Sequence, residues 1–434
     1  MRTEQARPVP GSIPFLTRLR YSVFRQLEKR ATPTTGAALP AGTSAPALWV
    51  FVSTIGELNA IGPFLRQLVA QHAELRLVLL TDRSIYRESY LAQYPQADIV
   101  EIGASGEPAH ALAQLRPPAL FIVAEIPCLP ADAPCRLPIG YLYAARAAGA
   151  RLALVNGWLY GYAPACRMDS IERSLLGRDY LKLFDLLCVQ TEEVARRLRA
   201  AGAADGQLRI TGNIKFDALD AGVRPISQTR CPALLQSVED SGRCIVVAGC
   251  VTDDEERELV LDAFTRLRQH TGNALLVLAP RHPEKPEVLR ALRESLQLRA
   301  LPYVSRSDGD EPLSTATDVV VLDTMGELRD FYARADVAHV GRDHNVLEPL
   351  AFGKPVTVRP GWDDTYPSFP VFQLAQQHRL IQVMASAGDL GRAWQTALGD
   401  TDSSRENIQM ALEGTRGATQ RTLAHVAQVS GMSR

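Results

Sequence analysis

From Leu48 onward the chain alternates short apolar runs with stretches whose apolar residues recur at helical spacing. Residues 48–53, 75–81, 99–102, 119–124, 151–156, 186–190 and 207–211 read as strands, because near-continuous Val, Ile and Leu suits a strand covered on both faces. The pattern lapses after Asp217, and the Pro-containing residues 221–243 read as a connection between domains. A second series of runs follows at 244–248, 274–279, 298–304, 318–323, 336–341 and 355–358. Strands alternating with helices call for parallel sheets. The expected fold class is therefore α/β, with two doubly wound Rossmann-like domains facing an interdomain cleft of the kind that commonly binds ligands. The expected divisions are a basic segment at 1–30, a linker at 31–47, a first domain at 48–220, the connection at 221–243 and a second domain at 244–402. Residues 403–434 form a helical stretch without a strand partner, free to cross back to the first domain.

The N-terminal 30 residues carry seven Arg or Lys against two Glu, with Phe15, Leu16, Leu19, Val23 and Leu27 at helical spacing. That pattern fits a helix over 13–30 lying on an anionic membrane surface. It fits equally an amphipathic helix packed on its own domain. Over the whole chain charge is balanced, with 47 basic against 48 acidic residues and a net charge of −1, so no global field attracts nucleic acid. No apolar run reaches bilayer-spanning length and the N-terminus lacks a signal-peptide core, so a cytoplasmic location is expected, peripheral to the inner membrane if the helix touches lipid. Cysteines 128, 135, 166, 188, 231, 244 and 250 lack a paired metal spacing and read as buried free thiols of a reducing compartment.

Candidate chemistry sits where strands end. Thr54, Gly56 and Glu57 follow the first strand, and Glu57 falls in a first helical turn, where it either accepts a proton from a substrate hydroxyl or complements the helix dipole. Glu125 ends another first-domain strand, and Trp158 and Tyr160 follow the next, either as a sugar-stacking surface or as core. Lys215 lies in a Gly-Asn turn at the end of the domain. In the second domain Arg281 and His282 sit between prolines, and the Arg281 fork suits a phosphate or carboxylate. The turn holding Met325, Gly326 and Glu327 presents backbone N–H groups to an anion, and Asn345 and Glu348 follow the next strand. No metal site is expected: His344 has no second His at ligand spacing, and the pairs Asp253-Asp254 and Asp363-Asp364 read as caps or turns. No cofactor is called for.

In this order the motifs Thr54-Ile55-Gly56-Glu57, Thr211-Gly212-Asn213-Ile214-Lys215-Phe216-Asp217, Pro280-Arg281-His282-Pro283-Glu284, Asp323-Thr324-Met325-Gly326-Glu327-Leu328 and His344-Asn345-Val346-Leu347-Glu348-Pro349 resemble the transferases that add 3-deoxy-D-manno-octulosonic acid (Kdo) to lipid A. The resemblance spans roughly residues 48 to 380. It implies a GT-B glycosyltransferase using CMP-Kdo, inverting the anomeric centre without a bound metal. It also implies Glu57 as the base, with Arg281, the Met325-Gly326-Glu327 backbone, Asn345 and Glu348 on the CMP donor and Lys215 near its phosphate. The chain departs from the family at Pro127 and Leu129, at Trp158-Leu159-Tyr160, and in replacing an apolar N-terminal membrane segment by the basic helix. All three fall in the acceptor half, so the expected acceptor is a glycan or glycoconjugate other than ordinary lipid A. A further departure shortens the glycine-rich loop before His344 to Gly341-Arg342-Asp343, where either the loss of the glycines narrows the phosphate site or Arg342 replaces backbone donors with a charge. Two other readings stay open: a GT-B transferase using a UDP- or GDP-sugar, and a catalytically silent GT-B scaffold that binds a nucleotide sugar or a protein partner.

Overall fold

The computed structural model describes residues 13–31, 45–102, 106–126, 137–158, 167–219, 222–364, 366–399 and 401–431. The chain divides into two compact units, one of residues 1–218 and 416–434 and the other of residues 219–415.

The first unit is built on a parallel sheet of β1 (Ala47–Phe51), β2 (Arg76–Thr81), β3 (Asp98–Glu101), β4 (Pro118–Ala124), β5 (Arg151–Gly157), β6 (Leu186–Val189) and β7 (Leu208–Ile210). Their spatial order is β3-β2-β1-β4-β5-β6-β7. Strand order reverses between β1 and β4, and a crevice opens outside the strand ends at such a point. Leu48, Val50 and Val52 face a core completed by Leu58, Phe64 and Leu65, and by Ala418, Leu423 and Val426 of the C-terminal helix Ala418–Ser430. That helix has no side-chain cap of its own, since Gly417 precedes it. Its cap arrives from far along the chain: the Asp217 carboxylate accepts from the N–H groups of Gly417, at 2.7 Å, and Thr419.

In the second unit, β8 (Cys244–Val251), β9 (Ala274–Pro280), β10 (Tyr303–Ser305), β11 (Val319–Val321), β12 (Val337–Val340), β13 (Val356–Val358) and β14 (Ile381–Val383) form a parallel sheet. The order is β10-β11-β9-β8-β12-β13-β14, with the reversal between β8 and β12. Residues 298–304 differ from expectation: the helix Pro286–Leu298 takes the first of them, and only Tyr303–Ser305 is strand. Residues 221–243, read as a connection, contain the helix Pro232–Asp240, which belongs to this unit. Proline at its first position costs no hydrogen bond and favours the helix start. The C-terminal stretch is two helices, Thr401–Thr415 in the second unit and Ala418–Ser430 in the first, broken at Gly417 with φ of 89°.

The N-terminal helix Phe15–Ala31 packs Thr17, Tyr21, Phe24 and Glu28 inward, with Ile13 buried just before it, and leaves Phe15, Leu16, Leu19, Val23 and Leu27 exposed. Among the described residues no helix is long and apolar enough to cross a membrane. Cys188 and Cys231 are buried free thiols, whereas Cys244 and Cys250 are only half-buried; Cys128, Cys135 and Cys166 lie outside the described residues.

Replacing Asp217 by Ala removes the remote cap, and the loss should be about 1–2 kcal/mol, as for a helix N-cap. Hydrogen exchange checks this: amides across Ala418–Ser430 should exchange faster while the second unit is unchanged, and equal protection would show that the carboxylate does not anchor the helix.

Candidate active site

At the end of β1, Thr54 caps the short helix Ile55–Ala60 by accepting from the Glu57 N–H at 3.2 Å. Glu57 reaches back, and its Oε2 accepts from the Ser53 N–H at 2.6 Å. The carboxylate is buried to 6% exposure, next to an exposed Gly56. Glu57 is thus a structural cap, and it is also held rigidly beside the reversal point of the sheet.

Across that point, Glu125 follows β4 with φ of 57°, a left-handed conformation uncommon outside glycine and typical of constrained sites. Its Oε1 accepts from Asn156 Nδ2 at 3.0 Å and pairs with Lys215 Nζ at 2.8 Å. Asn156, also left-handed at φ of 56°, accepts from the Ile214 N–H through Oδ1 at 2.9 Å and from Gln190 Nε2 through its carbonyl at 2.9 Å. Gln190 in turn accepts from Asn213 Nδ2 at 2.7 Å, and Asn213 accepts from the Lys215 N–H at 2.9 Å. One polar chain therefore joins the ends of β4, β5, β6 and β7. The charge of Lys215, expected near a donor phosphate, is matched here by Glu125. Trp158 is 2% exposed, its N–H donates to the Glu125 carbonyl, and Arg197 lies 5.9 Å above its ring. It belongs to the core and is no stacking surface; Tyr160, Pro127 and Leu129 lie outside the described residues.

In the second unit β8 and β12 approach so closely that a Cβ on Gly341 would fall 1.8 Å from the Cys250 carbonyl oxygen. The end of β8 repeats the device of β1: Asp253 accepts from the Glu256 N–H at 2.9 Å, and Glu256 Oε2 accepts from the Thr252 N–H at 2.8 Å. Glu256 is fully buried, and its Oε1 meets the Arg342 N–H at 3.2 Å and His339 Nε2 at 3.5 Å. Burial alone would raise the Glu256 pKa, yet hydrogen bonds from His339 and Thr252 hold it below the usual carboxylate range. Arg342 donates to Asp253 at 3.2 Å and lies 3.6 Å from Asp343, so its charge is already matched.

Arg281, after β9, is different. Its guanidinium lies 3.4 Å from the Arg342 carbonyl and 5.4 Å from the Tyr366 ring, with no carboxylate ion pair among the described residues. Its charge, together with burial as the larger cause, lowers the pKa of His344. His282 is exposed and pairs with Glu284 at 3.0 Å. Asn345 caps the next turn by accepting from the Leu347 N–H at 3.1 Å. Burial raises the Glu348 pKa, opposed by a hydrogen bond from Asn345 and by Arg329.

Met325 is exposed, Gly326 has φ of 99°, and Glu327 is buried, 3.8 Å from Arg306. An arginine that sequence reasoning missed covers this turn: Arg230 donates to the Met325 carbonyl at 2.7 Å, and a Cβ on Gly326 would sit 3.0 Å from its Nη1. Nothing local marks Arg230, since its partner is 95 residues away. Gln190, the middle of the first-unit chain, was missed for the same reason. Among the described residues no group of three or more His, Cys, Asp or Glu is placed to hold a metal ion.

A family model described as 3-deoxy-D-manno-octulosonic-acid transferase (kdotransferase) matches residues 24–218. A 3-deoxy-D-manno-octulosonic acid transferase of Haemophilus influenzae is 33% identical over 252 residues, 55% of this chain and 55% of that one, so the match spans about half that relative's length. A protein of the same description from Bordetella pertussis is 29% identical over 341 residues, covering 75% of this chain and 73% of the relative. Among solved structures, a glycosyltransferase from Rickettsia africae has a TM-score of 0.59 at 8% identity, over 89% of this chain and 99% of that one. That likeness concerns the fold, which is GT-B.

Lys215→Met leaves Glu125, at 6% side-chain exposure, without its cation. The expected loss is about 2–4 kcal/mol, below that of a fully enclosed pair because Lys215 itself is partly exposed. Urea unfolding of Lys215→Met, Glu125→Gln and the double variant checks it: the double variant should recover most of the loss, and strict additivity would show the two groups uncoupled.

Proposed function

This chain belongs to the 3-deoxy-D-manno-octulosonic acid transferase family, and from that premise we propose that it is an inverting, metal-independent glycosyltransferase. It moves Kdo or a related ulosonic acid from a CMP-activated donor to a hydroxyl of a glycan or glycoconjugate other than standard lipid A. The observation that carries this reading is Glu57, a buried carboxylate fixed by the Ser53 N–H at 2.6 Å beside the strand-order reversal.

In the proposed step Glu57 takes the proton of the acceptor hydroxyl as its oxygen bonds to the anomeric carbon. The bond from that carbon to the CMP phosphate oxygen breaks, and its electron pair leaves with CMP. Arg281 and the backbone N–H groups of Met325, Gly326 and Glu327 stabilise the departing phosphate, as preorganised donors do for developing charge. Asn345 and Glu348 hold the remainder of the donor, the carboxylate by accepting from hydroxyls. Thr54 and Gly56 border the acceptor side. The family match over 24–218 supports Kdo transfer for the first unit, and the departures at 127–129 and 158–160 support a different acceptor. The N-terminal helix, with Phe15 at 76% exposure and Leu16, Leu19 and Val23 also exposed beside arginines, lies on an anionic membrane surface on the cytoplasmic side.

One observation favours the silent-scaffold reading. The Glu57 geometry recurs at Glu256, where the glutamate is fully buried and serves structure, capping a helix and meeting the Arg342 N–H and His339.

Glu57→Gln separates the two, because Gln keeps an acceptor for the Ser53 N–H. Turnover of CMP-Kdo should fall about 10²–10⁴-fold, while calorimetric titration in EDTA shows unchanged CMP binding. Undiminished turnover would remove Glu57 as the base, preference for UDP or GDP would replace the donor, and no nucleotide binding would leave the scaffold.

A further inference from the structure

The N-terminal helix roofs a cavity of about 240 Å³ lined by Arg18, Tyr21, Ser22, Arg25, Gln26, His110 and Tyr143. None of these residues belongs to the strand-end clusters described above. The Tyr21 and Tyr143 rings stack at 3.8 Å, and the Tyr21 hydroxyl meets His110 Nε2 at 3.2 Å, so one wall is fixed. Two arginines line the cavity and no carboxylate does. Arg18 donates through Nε to the Ile13 carbonyl at 2.9 Å, and neither it nor the half-buried Arg25 forms an ion pair with any described residue. Burial, and to a lesser degree Arg25, lowers the His110 pKa, which favours its neutral form. Glu28, a turn further on, is felt by Tyr21 but does not line the cavity.

Two unmatched cations, a hydroxyl, an amide and a neutral imidazole suit a dianion with several acceptor oxygens, which guanidinium forks bind in preference to a point charge. The source of that dianion follows from the rest of the helix. At 3.6 residues per turn, Phe15, Leu16, Leu19, Val23 and Leu27 fall away from the buried Thr17, Tyr21, Phe24 and Glu28, and Arg18, Ser22 and Arg25 lie between the two sets. With the apolar ridge in the acyl boundary, the cavity mouth sits at headgroup level. We propose that the cavity binds the phosphomonoester headgroup of an anionic lipid, held by Arg18 and Arg25. This rests on the membrane-surface reading of the helix and adds headgroup selectivity to it.

The test is flotation of the full chain on phosphatidylcholine vesicles containing either phosphatidic acid or, at matched charge, phosphatidylglycerol, with calorimetry against soluble short-chain phosphatidic acid and inorganic phosphate. The wild type should prefer phosphatidic acid. Arg25→Gln should weaken that preference about tenfold, as expected for losing one charged hydrogen-bonding partner, and Arg25→Lys should restore part of it. Leu19→Ser with Val23→Ser should lose flotation on every vesicle yet still bind the short-chain lipid. Equal flotation on both anionic vesicles, with Arg25→Gln silent, would overturn the headgroup site and leave the membrane reading standing. Binding of inorganic phosphate without any flotation would overturn the lipid source, and no binding to either vesicles or soluble lipid would overturn both readings.

Discussion

The constraint on which the first unit turns is that a parallel sheet covered on both faces ends in polar groups with no ladder partner. Buried groups of this kind must be satisfied by side chains. Here the answer is the run Glu125, Asn156, Gln190, Asn213 and Lys215, which joins the ends of β4 to β7. The run exists only because Glu125 and Asn156 adopt left-handed backbone, turning their side chains along the strand ends. The same turn sends the Trp158 N–H to the Glu125 carbonyl and its ring inward. Such a chain is worth most when complete, since each bond polarises the next. It therefore fixes the rim opposite Glu57 as a single body.

The two units share a second device at the ends of β1 and β8: a residue that caps the helix, and a glutamate three residues later that reaches back to the N–H before the cap. This is the capping box shifted by one residue. Its recurrence shows that the geometry is required by the strand-to-helix turn, independent of chemistry. What differs is the surroundings. Glu256 is enclosed and faces His339, whereas Glu57 keeps slight exposure beside a glycine that carries no side chain to cover it. In the proposed transfer that slight exposure is what would let the Glu57 cap serve also as a base.

Those features divide by range in how far the sequence reveals them. The strands were legible because burial on both faces demands apolar runs, and Glu57, Arg281, Asn345 and Glu348 were legible because they follow such runs directly. The helix Pro232–Asp240 was hidden by its first-position proline, read as a breaker, and β14 by its brevity and by the exposed Gln382. Arg230 over Gly326, and Gln190 between Asn156 and Asn213, depend on partners far along the chain, which no local pattern records. Trp158 was open to either reading by residue type, and its burial behind the left-handed turns at Glu125 and Asn156 decides it.

Charge decides what the loop Gly341-Arg342-Asp343 offers a phosphate. Arg342 is no substitute for glycine amides as a phosphate donor, because it faces Asp253 and Asp343, while Arg359 takes up Asp253 and Glu255. A cation so matched offers an incoming phosphate little, because binding would first have to displace carboxylates from it. Arg281 has no such competitor among the described residues and is placed by a carbonyl and an aromatic face, which orient a guanidinium without neutralising it. In the proposed transfer the leaving phosphate would then meet the Arg281 cation and a turn of backbone N–H groups over which Arg230 lies. Specificity for the donor would rest on the fit of that turn, which Arg230 pins at Met325 and Gly326.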